Sequence, residues 1–165
     1  MINNILKLIF FSFLFFCLVS CGNVKSNKTD SKQISFEYLK QGNLYGAGDE
    51  NCKSGVELIE TFDSMQELIG RMNSINQTIT EESWQNPSFF QTNSILAVFD
   101  TVIGNGGNRI EIEKISHQND TILVLISRNH PEGPSTMEIT QPYVLAKINK
   151  QKIKHIKFVK GSFMN

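Results

Sequence analysis

Three cysteines, four prolines and a single tryptophan in 165 residues rule out several kinds of protein at once. Three thiols cannot build the dense disulfide framework of a small secreted scaffold. Basic and acidic side chains balance at 16 each, so the strong basic excess of a nucleic-acid binder is missing. No apolar run reaches the roughly 20 residues a spanning helix needs. Catalytic frames are lacking as well. His117, His130 and His155 are the only histidines, and none stands in a His-Glu-x-x-His or Cys-x-x-Cys frame, so no zinc or other metal is expected. There is no Gly-x-Ser-x-Gly elbow. Gly104-Asn105-Gly106-Gly107-Asn108 lacks the lysine and following helix of a phosphate-cradling loop, and reads as a hairpin turn. Asp49-Glu50 falls short of a calcium ligand set. No cofactor and no internal repeat is expected.

What the chain does have begins at its amino terminus. Asn3, Asn4 and Lys7 make a short polar start, and Leu8 to Val19 form an apolar stretch with Phe10, Phe11, Phe13, Phe15 and Phe16. That length suits the central region of a secretory signal. It ends in Leu18-Val19-Ser20-Cys21, which resembles a lipobox, the processing site of bacterial lipoproteins. The resemblance implies a signal peptide over residues 1–20, a diacylglycerol on the Cys21 thiol and an acyl chain such as palmitate on the new amino terminus. Each buried methylene of such chains contributes about 0.8 kcal/mol, so several chains hold the protein on a membrane. An uncleaved anchor is the alternative. Residues 21–33 are polar, charged and nearly free of apolar side chains, and are expected to form a tether. No acidic residue follows Cys21, which by resemblance to lipoprotein sorting rules favours the outer membrane, facing the periplasm.

Lys7 is the only charge in residues 1–20, so the remainder carries 15 basic and 16 acidic side chains. Cys17 leaves with the signal and Cys21 is lipidated, so Cys52 has no internal disulfide partner. It reads as a small buried hydrophobe, with a nucleophile or an intermolecular bridge as the alternatives.

Residues 34–165 are long enough for one domain with its own core. The pattern predicts an α+β fold, mostly β: a β-sandwich or small barrel with one amphipathic helix. Ile34–Tyr38 alternates as a strand, Gln41–Ser54 reads as loop, and Gly55–Phe62 reads as a second strand. Met65, Leu68, Ile69, Met72 and Ile75 form one helical stripe, predicting a helix over about 64–75 with Ser64 and Glu67 as a capping box. Gly70 sits inside it, as if for close packing. Trp84 and Phe89-Phe90 are expected to fold against the core from irregular chain. Ile95–Phe99 is continuously apolar, as in a strand covered on both faces, and Ile122–Ile126 looks similar. Arg109–Glu113 alternates, Asn119-Asp120 marks a turn, and Ile153–Val159 is the last strand. Lysines at 147, 150, 152, 154, 157 and 160 read as edge protection, or as a patch for anionic headgroups or an acidic partner.

Between residues 94 and 149 the order of features resembles the carboxy-terminal domain of the protease complex subunit family PrcB. Ile95–Phe99 matches a first apolar strand. Gly106-Gly107 matches a glycine pair, Ile110 and Ile112 an alternating strand, Pro131 and Pro134 a proline loop, and Thr140-Gln141-Pro142-Tyr143 the opening of the last strand. Asn108 and Arg109 stand where the family carries an aromatic. The resemblance implies a lipoprotein with an accessory role toward another protein, such as a secreted protease, and not peptide cleavage by this chain.

The expectation is therefore a non-enzymatic, membrane-tethered binding module. Loops on a rigid β scaffold are where recognition concentrates. The candidate contact residues are Gly104, Asn105, Gly106, Gly107, Asn108, Arg109, His130, Pro131, Pro134, Gln141, Pro142 and Tyr143. An inhibitor-like module presenting loops 104–108 and 130–135 is one rival, and an enzyme using Cys52 or His130 is another.

Overall fold

A computed structural model describes residues 31–118, 120–129 and 136–163. The signal, Cys21, the tether up to Asp30 and the loop His130–Ser135 lie outside these residues. Among the described residues eight strands form two four-stranded sheets. The first has the order β1-β5-β6-β8: β1 (Lys32–Ile34), β5 (Arg109–Gln118), β6 (Thr121–Asn129) and β8 (His155–Phe163). The second has the order β2-β7-β4-β3: β2 (Phe36–Leu44), β7 (Gln141–Asn149), β4 (Asn93–Phe99) and β3 (Gly55–Ile59). All pairs are antiparallel except β6 with β8. The expected α+β, mostly β sandwich is what forms, and it is not a closed barrel.

The two central strands of the second sheet, β4 and β7, are buried on both faces. Leu96, Val98, Val144, Ala146 and Ile148 pack with Ile110, Ile112, Ile115, Ile122, Val124 and Ile126 to make the core between the sheets. Ile95, Ala97, Phe99, Tyr143 and Leu145 point the other way, into a second core with Met65, Leu68 and Met72. The continuous apolar run of β4 follows from this, since neither face can be polar. β6 differs from the reading of Ile122–Ile126 as fully covered: Leu123 and Leu125 are only half-buried on the outer face of the first sheet.

The second core is roofed by helix α1 (Phe62–Met72) and by the segment carrying Ile79, Trp84 and Phe90, which ends in the one-turn helix α2 (Phe89–Thr92). α1 starts earlier than expected and is capped differently. The Thr61 hydroxyl accepts from the Ser64 N–H at 3.2 Å, while the Ser64 hydroxyl accepts from the Thr61 N–H at 3.3 Å. The capping box is thus Thr61 with Ser64, three residues upstream of the expected Ser64 with Glu67. Asn73 ends the helix, so Ile75 falls outside the stripe and is 51% exposed. A side chain at Gly70 would meet nothing within 4 Å, so close packing is not why glycine stands there.

Other boundaries shift for physical reasons. β1 begins at Lys32, inside the stretch expected to be tether. β2 runs on to Leu44, through residues read as loop, because a bulge between Tyr38 and Lys40 breaks its alternation. Gly104–Asn108 is not a hairpin. It lies between β4 and β5, which belong to different sheets, and so carries the chain across the sandwich.

Candidate functional site

The topology gathers three connections at one end of the sandwich. β2 and β3 are opposite edges of the second sheet, so residues 45–54 must cross the ends of β7 and β4. Residues 100–108 leave β4 for the first sheet at the same end, and the chain returns from β6 to β7 there.

Gln141 ties these connections to the scaffold. It is buried at the start of β7, and its Nε2 donates to the carbonyls of Cys52 at 2.7 Å and Asp100 at 2.8 Å. Asp100 is itself fully buried and accepts a two-pronged ion pair from Arg128 across the two sheets. This guanidinium is held above its usual pKa chiefly by that carboxylate. Loop 45–54 folds around Glu50, whose buried Oε1 accepts from the Gly46 N–H at 2.6 Å. A side chain at Gly46 would strike this carboxyl at 2.6 Å. Between the loop and α1 lies an open cleft of about 440 Å³, walled by Glu50, Asn51, Glu67, Gly70, Arg71 and Ser74. Arg71 does not offer a free charge there, because both oxygens of Glu57 hold its guanidinium, at 2.7 and 2.9 Å.

Loop 100–108 is fastened to the segment that leads into β7. Ile103 and Thr140 exchange backbone hydrogen bonds at 2.8 and 2.9 Å, and the Gly106 N–H donates to the Thr136 carbonyl at 2.9 Å. A Cβ on Gly106 would lie 2.1 Å from the Thr136 hydroxyl, so the Thr136 side chain occupies the space that glycine leaves open. Gly107 has φ of 81°, a conformation that favours glycine.

The expected contact residues divide on this geometry. Gly104, Asn105, Gly107 and Arg109 are exposed, whereas Gly106 and Asn108 are buried. Asn108 donates from Nδ2 to the Asn105 carbonyl at 2.5 Å and so braces the turn from inside. Gln141, Pro142 and Tyr143 are buried, which makes them supports of the loops and not part of the surface. Tyr143 packs on Gly42, and burial pushes its hydroxyl up to about 12. His130, Pro131 and Pro134 lie outside the described residues.

Four large apolar side chains that the sequence analysis did not single out stand exposed at this end: Tyr45 at 53%, Val102 at 42%, Ile139 at 49% and Met137 at 97%. Gly48 brings loop 45–54 against Val102, with a Cβ there coming 3.1 Å from the Val102 methyl. The signal available in the sequence was large apolar residues inside stretches that otherwise read as loop.

Cys52 is buried, and burial pushes its thiol up to about 11. It belongs to the core under α1, whereas His117 and His155 lie on strands of the other sheet. No dyad joins the thiol to either of these two histidines. Among the described residues no group of His, Cys, Asp or Glu is placed to hold a metal.

Residues 104–149 match the family described as PrcB C-terminal, and this chain carries a PrcB-like carboxy-terminal domain. The match runs from the glycine turn through β5, β6 and β7, and leaves out Ile95–Phe99, which also resembled the family. No curated protein and no solved structure matches the chain.

Proposed function

We propose that this protein is an extracytoplasmic lipoprotein, held on the periplasmic face of the outer membrane by acyl chains on Cys21, that acts as a non-enzymatic accessory module for another protein. The partner class is a component of a secreted protease complex, as the PrcB-like segment suggests. The observation that carries this reading is the exposure of Tyr45, Val102, Met137 and Ile139 on connections pinned by Gln141, Gly106 and the Asp100–Arg128 pair. Exposed apolar side chains on a rigid frame give an interface contact area at low cost in conformational entropy. Burial of Cys52 on a thiol-raising site speaks against nucleophilic chemistry, because the thiolate is the reactive form.

A photo-crosslinking residue placed at Met137 in the lipidated full chain tests this in the native cell. The same residue at Lys114, exposed on β5, is the control. A discrete protein adduct from position 137 and none from 114 is expected. No adduct from 137, or equal adducts from both, overturns the reading. Met137 also suits an inhibitor-like module, since it stands almost wholly free of the body. In that case the captured protease would lose peptidase activity when the purified protein is added.

A further inference from the structure

The end of the sandwich opposite the partner loops is where the amino-terminal chain attaches. β1 starts at Lys32, which pairs with His117 near the end of β5, and β8 starts at His155, which pairs with Thr121 at the beginning of β6, so the two edge strands of the first sheet begin at the same end. The β7–β8 connection, residues 150–154, lies at the same end, because β7 finishes beside Asn93 and β8 begins beside Thr121. Lys32, Lys150, Lys152 and Lys154 are all exposed there. Lys150, Lys152 and Lys154 line a shallow cleft of about 450 Å³ with Glu60, Gln151 and Ile153. The acidic groups facing them are few. Asp120 is held by Lys154 at 2.6 Å, Glu60 lines the cleft, and Asp63 lies in the first turn of α1. Lys150 is anchored by donating to the Phe90 carbonyl at 2.9 Å. Among the described residues, no ion pair engages Lys32 or Lys152.

We infer that this basic end docks on the anionic headgroups of the membrane that holds Cys21, so that the module stands with its apolar loops pointing away from the bilayer. The inference rests on the lipid anchoring proposed above. Ten residues lie between Cys21 and Lys32, a span of at most about 40 Å, so the lysines are confined near the surface and a weak attraction becomes effective. Lysines near an anionic surface are drawn to it within about one Debye length. The strands put about 30 Å between the two ends, so a docked base keeps Tyr45, Val102, Met137 and Ile139 clear of lipid.

The test uses the lipidated full chain reconstituted into vesicles of phosphatidylcholine, alone or mixed with phosphatidylglycerol. A fluorophore is placed at Gln151→Cys or at Met137→Cys, and quenching by headgroup spin-labelled lipid is read. In phosphatidylglycerol vesicles the label at 151 is expected to be quenched several-fold more than the label at 137. That contrast should shrink in molar salt, in phosphatidylcholine alone, and in the Lys32→Glu/Lys152→Glu variant. Equal quenching at both positions, or a contrast indifferent to lipid charge, overturns the docking while leaving the anchor in place. Acyl labelling of the same preparation reports on Cys21 separately, and its absence removes the anchor and the docking together.

Discussion

The Tyr38 hydroxyl serves both backbone groups of Ile112, accepting from its N–H at 3.0 Å and donating to its carbonyl at 3.1 Å. The reason lies in how the chain changes sheets. β1 pairs with β5 only over Ile115–His117, and then crosses at Ser35 to become β2 of the other sheet. The rest of the β5 edge would be left without a neighbouring strand. Tyr38 fills the place of one strand residue at Ile112, and Gln41 Nε2 donates to the Ile110 carbonyl at 2.7 Å. Tyr38→Phe removes both bonds at Ile112 and is expected to cost about 1–3 kcal/mol, read as a lower denaturant midpoint at unchanged slope. A loss under about 0.3 kcal/mol would show that water replaces the hydroxyl.

Alkaline stability should fall in a defined window. Burial raises Cys52 from 9.0 to about 11 and Tyr143 from 10.0 to about 12, and Tyr38 moves upward for the same reason. All three are neutral when protonated. Between the unfolded and folded values the unfolded chain has lost its protons and the folded chain has not, so stability declines as pH rises. The melting temperature is expected to drop progressively from about pH 9 to pH 12, with Cys52 acting first. Cys52→Ala should flatten the lower part of that decline, and an unchanged profile would show that the thiol does not contribute.

Leu68, on the buried face of α1, is 1% exposed, so Leu68→Ala should destabilise the protein by about 2–5 kcal/mol. Two positions further on, Gly70→Ala should do the opposite. It is exposed, helical and open to a methyl group, and alanine gains about 0.5–1 kcal/mol over glycine in such a place. Chemical denaturation of both variants checks the pair, and a destabilising Gly70→Ala would mean that the helix is bent or covered there.

Asp100 is wholly buried and Arg128 nearly so. Arg128→Met takes the counter-charge from the buried carboxylate, which keeps the Thr101 N–H at 2.7 Å, and should cost about 3–5 kcal/mol. Asp100→Asn/Arg128→Met together should recover part of this, a coupling that a double-mutant cycle measures directly.

Gly107→Val forces a branched side chain into φ of 81°, at about 1–2 kcal/mol or more. If the turn presents the partner surface, crosslinking from position 137 should fall further than the loss of folded protein explains, with a parallel melt as the reference.

The helix and the doubly covered strand were legible because each writes its environment into consecutive residues. The stripe Met65, Leu68, Met72 has only one way to bury itself, and Ile95–Phe99 has no polar face to show. What escaped was decided between distant segments. Asp100 and Arg128 lie 28 residues apart, and neither has a local signature. The carboxy half of β2 was unreadable because its bulge reverses which side chains face inward. Turn chemistry at Gly104–Asn108 was right in kind, but no local pattern says that the strands it joins belong to different sheets. Exposure was the other thing local pattern could not give: Tyr45, Val102, Met137 and Ile139 stand open to solvent, while Gly106, Asn108, Gln141, Pro142 and Tyr143 are buried, and both follow from how distant segments pack.

The central position of β7 has a further consequence for the PrcB-like segment. Residues 104–149 place β5 and β6 in one sheet and β7 in the other, where β2 and β4 flank it on both sides. Cut out alone, this piece would expose two unpaired edges of β7 and strip the cover from Tyr143 and Leu145. It therefore holds three of the eight strands and does not close the sandwich by itself. In this chain β2 and β4, both from outside the matched segment, finish the sandwich, and the connections they begin or end, 45–54 and 100–108, are the ones that stand around the glycine turn.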